Sequence, residues 1–161
     1  VTSSNSRFDK FRRNETGGIL SQQEQAGYIL FNQKCASCHA TDLFTDNSFR
    51  NNGLQVNPAI NDIGRYRVTE LDQDVYKFKV PSLRNIEKTA PYMHDGRLFT
   101  LEAVMEHYNS GVVNSNTLDP LLKTNGKLGI PTTEVEKTQI IAFLKTLTDT
   151  QYLTDKRFSE Y

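Results

Sequence analysis

Three stretches of the chain carry an apolar stripe at helical spacing, and each has its own start signal. Ser21-Gln22-Gln23-Glu24 reads as a capping box, in which the serine and glutamate side chains each satisfy the other's backbone N–H. Gly27, Leu30 and Phe31 then fall on one face at i, i+3 and i+4. A glycine on that face lowers helix propensity, so close approach of a second helix is the expected reason for it. Thr100 caps a second helix with Leu101, Val104, Met105 and Tyr108 as its stripe and Gly111 at its end. Thr133 to Glu136 is another capping box, and Ile140, Phe143, Leu144 and Leu147 form the apolar face that follows. The last helix is expected to pack crosswise on the Gly27 helix.

Between these stripes the periodicity fails. Residues 40–75 hold Leu43, Phe44 and Phe49 among turn formers such as Asn51-Asn52-Gly53 and Asn57-Pro58. A loop of that length is uncommon in a compact domain unless it wraps a ligand. Residues 76–99 are bracketed by Pro81 and Pro91, with one turn of helix expected around Leu83 to Ile86. Residues 1–18 are polar, basic in the middle, and end in Gly17-Gly18. They read as a linker or lead-in, with Phe8 and Phe11 able to anchor on a neighbouring surface; a loose terminus reads as well. The division expected is therefore 1–18 lead-in, 19–150 one domain, and 151–161 a polar tail.

Candidate chemistry centres on Cys35-Ala36-Ser37-Cys38-His39, directly after the first helix. C-x-x-C-H is the attachment signature of a c-type haem: two thioethers hold the porphyrin edge and the next residue offers an imidazole to the iron. A redox dithiol would open a βαβ pattern, which is not visible here. A zinc site would need a second Cys/His pair. The fold class expected is all-α, a cytochrome c-like domain wrapped around one covalently bound haem, with long irregular loops. The haem would lie between the first and last helices.

Composition changes this picture little. The 161 residues suit a single domain, and the hydrophobic fraction is only 37%. Mean hydropathy is -0.57. A buried porphyrin would supply much of the missing apolar core. Lys+Arg and Asp+Glu both number 19, so nothing in the charge points to nucleic acid. No apolar run reaches transmembrane length, and no signal peptide opens the chain. Covalent haem is attached outside the bacterial cytoplasm as a rule, so a processed periplasmic protein is expected.

The second concentration of chemistry is Tyr92-Met93-His94-Asp95-Gly96, a thioether, an imidazole and a carboxylate beside a glycine turn. Lys79 and Arg84 are candidates for the haem propionates. Tyr108, on a buried stripe, must satisfy its hydroxyl, either as an ordinary core tyrosine or on iron.

The runs FNQKCASCHATDLFTDNSFRNNGL and KFKVPSLRNIEKTAPYMHDGRLFTLEAVMEHYNSG closely resemble the C-terminal domain of the bacterial di-haem cytochrome c peroxidases, including the relatives of methylamine utilisation. The likeness runs from Phe8 to Leu147. It implies a haem that takes electrons from a small donor, such as a cytochrome c or a cupredoxin. Those electrons pass to a second, peroxidatic haem that reduces hydrogen peroxide to water. With one C-x-x-C-H here, that N-terminal haem domain is expected to be a partner outside this sequence. The resemblance further implies His39 as proximal ligand and Tyr108 as distal ligand, with Met93 and Met105 as alternatives. It implies His94 in an inter-domain loop as a catalytic candidate. It also implies a calcium ion at the domain interface, held in part by the backbone carbonyls of Thr89 and Pro91. Other readings are a stand-alone monohaem cytochrome c and an oxidase-like di-haem relative that modifies a protein.

Overall fold

In the computed structural model, residues 3–124 and 126–158 are described. Helices dominate, as expected, but among the described residues the chain also forms four two-residue strands, so the architecture is helical rather than strictly all-α. In order, the elements are α1 (Arg7–Arg12), α2 (Gln22–Lys34), β1 (Phe49–Arg50), α3 (Tyr66–Thr69), β2 (Phe78–Lys79), α4 (Leu101–Glu106), β3 (Lys123–Thr124), β4 (Lys127–Leu128), α5 (Glu134–Lys145) and α6 (Thr150–Leu153). β1 pairs antiparallel with β2, Phe49 opposite Lys79 and Arg50 opposite Phe78, and β3 pairs with β4. The first of these ladders ties the long 40–75 segment to the 76–99 segment.

The capping signals act where the spacing places them. Ser21 and Glu24 form a reciprocal box on α2, Thr133 and Glu136 form one on α5, and Thr100 accepts from the Ala103 N–H on α4. A further box, Ser6 with Asp9, starts α1 inside the stretch read as a lead-in. Phe8 on that helix is 5% exposed and belongs to the main core.

That core is aromatic. Phe8 lies 4.9 Å from Tyr28 and 5.1 Å from Phe143, and Phe31 lies 5.0 Å from Phe143, with Phe44 closing the group at 5.7 Å from Phe31. α2 meets α5 directly at Gly27. A Cβ there would stand 1.9 Å from the Gln139 carbonyl oxygen and 3.0 Å from Phe143 Cβ. The two helices therefore touch backbone to backbone, which explains the glycine. It also corrects one expectation: no haem fits between α2 and α5 at this crossing, and the cysteines leave from the C-terminal end of α2 instead.

The helical turn expected at Leu83 to Ile86 starts later, as a 3₁₀ turn over Ile86–Lys88, because Asn85 takes a left-handed φ of 60°. Asn85 is buried there, donating its N–H to the Leu147 carbonyl and accepting from the Asp149 N–H. The second stripe departs more. α4 ends at Glu106, and residues His107–Gly111 form a π-helical turn. The Tyr108 carbonyl accepts from Ile130 N–H at 2.6 Å, and the Asn109 side-chain oxygen accepts from Thr132 N–H at 2.9 Å. Ile130 thus takes up a carbonyl that an α-helix would have used itself, and Thr132 holds the Asn109 side chain beside it. Such π turns recur at functional sites.

Arg84 joins α1 to the loop after the cysteines. Its guanidinium forks onto Asp9 at 2.9 and 3.0 Å, and its Nε donates to the Asp42 carbonyl at 2.8 Å. Both side chains are about a tenth exposed, at 9% and 10%. Burial alone would raise the Asp9 carboxyl, but hydrogen bonds from Arg84 and Ser6 outweigh it and hold the group below its ordinary value. A carboxyl with a lowered folded pKa contributes stability above its unfolded pKa and loses it as pH falls through the folded one. Arg84→Met is expected to cost about 3 kcal/mol at neutral pH, the low end for breaking a buried pair. The deficit relative to the parent should shrink below about pH 4, where Asp9 protonates in the unfolded chain. Urea unfolding at pH 7 and pH 3 checks this, and a deficit independent of pH would contradict it.

Candidate functional site

α2 delivers the chain into a tight turn on which Cys35, Cys38 and His39 follow one another. Cys35 caps the helix, donating its N–H to the Phe31 carbonyl, and the His39 N–H donates to the Cys35 carbonyl at 3.0 Å. Both cysteines are unpaired. Burial pushes the Cys35 thiol up to about 12, with the neighbouring Cys38 adding to the effect. Burial raises the Cys38 thiol as well. A redox dithiol needs the opposite, an attacking thiol lowered toward neutrality. Two thiols kept neutral by burial suit attachment to an apolar partner.

His39 has its ring nitrogens differentiated. Nδ1 sits 3.0 Å from the Phe44 carbonyl oxygen, and because a carbonyl only accepts, Nδ1 carries a proton toward it. Burial lowers the His39 pKa, against the opposing pull of hydrogen bonds to the Phe44 and Pro81 carbonyls, so the ring is kept neutral. A neutral imidazole with one nitrogen tied to backbone is the form that binds metal.

A charged network fixes the same turn from the other side. Arg50 on β1 binds Asp46 at 2.7 Å and Asp119 at 2.8 Å, and its Nε donates to Ser48 at 2.8 Å. Burial would raise the Asp46 carboxyl, but Ser48 and Arg50 bring it down to about 2. Arg50 also acts electrostatically on Cys38, favouring its ionised form against the burial. Nothing in the residue pattern singled out Arg50; its site depends on Asp119, 69 positions away.

Tyr108 brings its hydroxyl end into the interior, although part of the residue stays accessible. Burial raises the phenol, and both cysteine sulfurs lie within electrostatic reach of it. Tyr108 packs on the small apolar cluster of Val112, Leu118 and Leu122, whereas Met105, 7% exposed, packs in the main core. The π turn thus separates two residues that a regular stripe would have stacked.

Met93 has a left-handed φ of 72°, and its sulfur accepts from Asn52 Nδ2 at 3.3 Å. Its loop is closed by Tyr92 and Leu98, which exchange backbone hydrogen bonds at 2.6 and 3.4 Å. His94 stacks on Phe78 at 3.8 Å with ring planes 9° apart. Burial lowers its pKa, and the ring lines a narrow cleft with Asn52, Tyr76 and Asp95. Asp95 binds the Arg97 guanidinium, whose Nη1 donates to the Gln55 carbonyl at 2.7 Å. His107, the third histidine, is buried and donates from Nε2 to the Asn52 carbonyl at 3.1 Å.

Of the remaining expected residues, only Arg84 reaches the loop that follows His39. Lys79 is exposed on β2, Arg84 has its donors on Asp9 and Asp42, and Thr89 and Pro91 are exposed beyond the 3₁₀ turn. Among the described residues no three His, Cys, Asp or Glu side chains cluster to hold a metal ion. Two carbonyls fall well short of the six to eight oxygens calcium takes, so any calcium site on this chain is partial.

The donor set fits a covalently attached haem: two free thiols on one turn, an imidazole anchored to backbone beside them, and a phenol within electrostatic reach of both sulfurs. No known family profile matches the chain. Individual proteins do. Methylamine utilization protein MauG of Methylorubrum extorquens is 38% identical over 144 residues, 87% of this chain and 38% of that protein. Cytochrome c peroxidase Ccp of Escherichia coli is 32% identical over 160 residues, 93% of this chain and 30% of that protein. Among solved structures, a MauG-like protein associated with microbial copper homeostasis superposes with a TM-score of 0.80 at 33% identity, covering 98% of this chain and 55% of that one. The diheme peroxidase BthA from Burkholderia thailandensis gives 0.69 at 25% identity, covering 92% and 47%. The chain therefore spans about half or less of the length of these relatives. With C-x-x-C-H geometry, the tyrosine within electrostatic reach and these likenesses together, the chain belongs to the di-haem cytochrome c peroxidase family, matching the C-terminal part of its members.

Proposed function

We propose that this chain is the electron-transferring c-type haem domain of a two-haem peroxidase. It would receive electrons from a small redox protein and pass them to a second haem domain where hydrogen peroxide is reduced to water. The observation that carries the reading is the turn after α2: His39 is anchored through Nδ1 to the Phe44 carbonyl, and two free cysteines stand beside it. Bound there, the haem supplies a one-electron couple. Cys35 and Cys38 would tether it, His39 would hold the iron from one side and Tyr108 from the other. Lys79 is the candidate for a propionate, and Arg84 could serve only with the donors it does not spend on Asp9 and Asp42. His94, stacked on Phe78, is assigned to the path between the two domains. The carbonyls of Thr89 and Pro91 would contribute to calcium at that boundary. Export to the periplasm follows from covalent haem and accords with the absence of any helix long and apolar enough to cross a membrane among the described residues.

A second reading is an oxidase-like two-haem protein that modifies a protein substrate. The interior placement of the Tyr108 hydroxyl favours it, because a phenolate ligand stabilises oxidised iron whereas a thioether raises the potential. Both readings need two haems. Intact mass and haem content of the mature protein are expected to show two, with peroxide-dependent oxidation of a reduced small cytochrome. The haem-loaded chain alone is expected to give under about 1% of that turnover, because occupied axial positions leave peroxide no open site and the acid–base group lies elsewhere. Saturable turnover by this chain alone would overturn the division of labour. A single haem in the mature protein would leave a monohaem electron carrier.

A further inference from the structure

Asn52 stands where the pieces of the distal side meet. Its Nδ2 donates to the Met93 sulfur at 3.3 Å, and its carboxamide is also a hydrogen-bond partner of the Tyr108 phenol. Its backbone carbonyl accepts from His107 on the π turn at 3.1 Å. The amide cannot be turned end for end without loss, because Oδ1 already accepts from the Leu54 N–H at 3.2 Å. That leaves the NH₂ end, with its two donors, toward the sulfur and the phenol.

The backbone beneath it is held as well. Gly53 has φ 70°, and a Cβ there would stand 2.6 Å from Val112 and 2.9 Å from Leu118. Its carbonyl accepts from the Val113 N–H at 2.8 Å. Asn52 is thus a fixed donor pair. Met93, by contrast, sits at a φ that non-glycine residues rarely adopt, in a loop turning on Gly96. A thioether on such a loop is a natural competitor for iron.

We propose that Asn52 is a positioning residue that selects the distal ligand: one N–H steadies the Tyr108 oxygen and the other detains the Met93 sulfur away from the iron. The inference rests on the haem-domain reading with Tyr108 as the distal ligand, and it adds what keeps the thioether out. Neither the spacing of Asn51-Asn52-Gly53 nor its turn chemistry implies this role, since Met93 is 41 positions away.

The test uses the haem-loaded full-length protein, read by its ferric absorption and electron paramagnetic resonance spectra and by the midpoint potential. In Asn52→Leu the balance between phenolate and thioether ligation is expected to move about tenfold toward the thioether, the weight of one hydrogen bond to a charged acceptor. The potential should rise with it. Met93→Leu alone should leave spectrum and potential as in the parent. The double variant Asn52→Leu/Met93→Leu should recover the phenolate spectrum, which a merely structural defect at Asn52 would not. If Asn52→Leu fails to fold, Asn52→Ala, uncharged and without the two donors, decides the matter and should shift in the same direction. A parent-like spectrum and potential in whichever Asn52 variant folds overturns the proposal. Tyr108→Phe separates the two levels. If its spectrum matches the parent, the ligand assignment fails and this proposal fails with it. If Tyr108→Phe responds and the Asn52 variants do not, only the selection role is lost.

Discussion

Cys35→Ala combined with Cys38→Ala is expected to abolish covalent haem completely and to divide the chain into a folded and an unfolded part. The aromatic group of Phe8, Tyr28, Phe31 and Phe143 is built from protein alone, on α1, α2 and α5, with Gly27 seated on the Gln139 carbonyl. That part retains its own apolar burial, at roughly 25 cal/mol per Å² of surface removed from water. Cys35 packs against that core, but the Tyr108 side has much less. Only Val112, Leu118 and Leu122 are buried in its cluster, with Tyr108 and Ile130 packed against them. The long loops around it owe their order to polar pairs such as Arg50 with Asp46 and Asp119. Without haem the far side should open. Hydrogen exchange on the double variant should leave α2, α4 and α5 protected, since Leu101 and Met105 share their core, while residues 46–75 and 107–130 exchange at least about tenfold faster, as expected where few buried contacts hold the backbone. Uniform protection across the chain, or uniform loss, would refute this division.

Gly27→Ala should have a large effect for a single methyl group. A Cβ at 1.9 Å from the Gln139 carbonyl oxygen and 2.5 Å from its carbon meets backbone, which no change of rotamer can move. Ordinary van der Waals separation is about 3.5 Å or more, so α5 would have to withdraw by well over 1 Å. Withdrawal would pull Phe143, fully buried, out of its contacts with Phe31 and Tyr28. Overpacking of a closed core costs about 1–3 kcal/mol and sometimes more, and a backbone clash belongs at or above the upper end. The gain in helix propensity from glycine to alanine, about 1 kcal/mol, offsets only part of this. Thermal unfolding should fall by roughly 5–10 °C for a chain of this size. A melting temperature within about 2 °C of the parent would mean that α2 and α5 do not meet as described.

Both outcomes bear on how the cysteines are presented. Cys35 and Cys38 follow α2 without a break, so the α2–α5 contact sets the direction in which the thiols leave the helix. The ion pair of Asp9 and Arg84 then ties the loop after His39 back onto α1 through the Asp42 carbonyl.

What the sequence determined by itself is what closes within a few residues. The capping boxes at Ser21 and Thr133, the cap at Thr100 and the C-x-x-C-H turn involve partners at most four positions apart. Such hydrogen bonds depend only on local backbone geometry, so residue identity and spacing suffice. The Ser6–Asp9 box obeys the same rule and was legible too, but its helix has six residues in a polar stretch and no stripe to draw notice. Tertiary structure decided the rest. Tyr108 leaves the stripe it shares with Met105 because Ile130 takes up a carbonyl of the π turn and Thr132 holds the Asn109 side chain beside it. Asn52 becomes a hub because Met93 and His107, 41 and 55 positions away, are folded onto it. Partners so distant leave no period or spacing in the chain. Their meeting is set by how α2 and α5 pack and how the loops are pinned to them, and side chains acquire those roles only when the whole chain is in place.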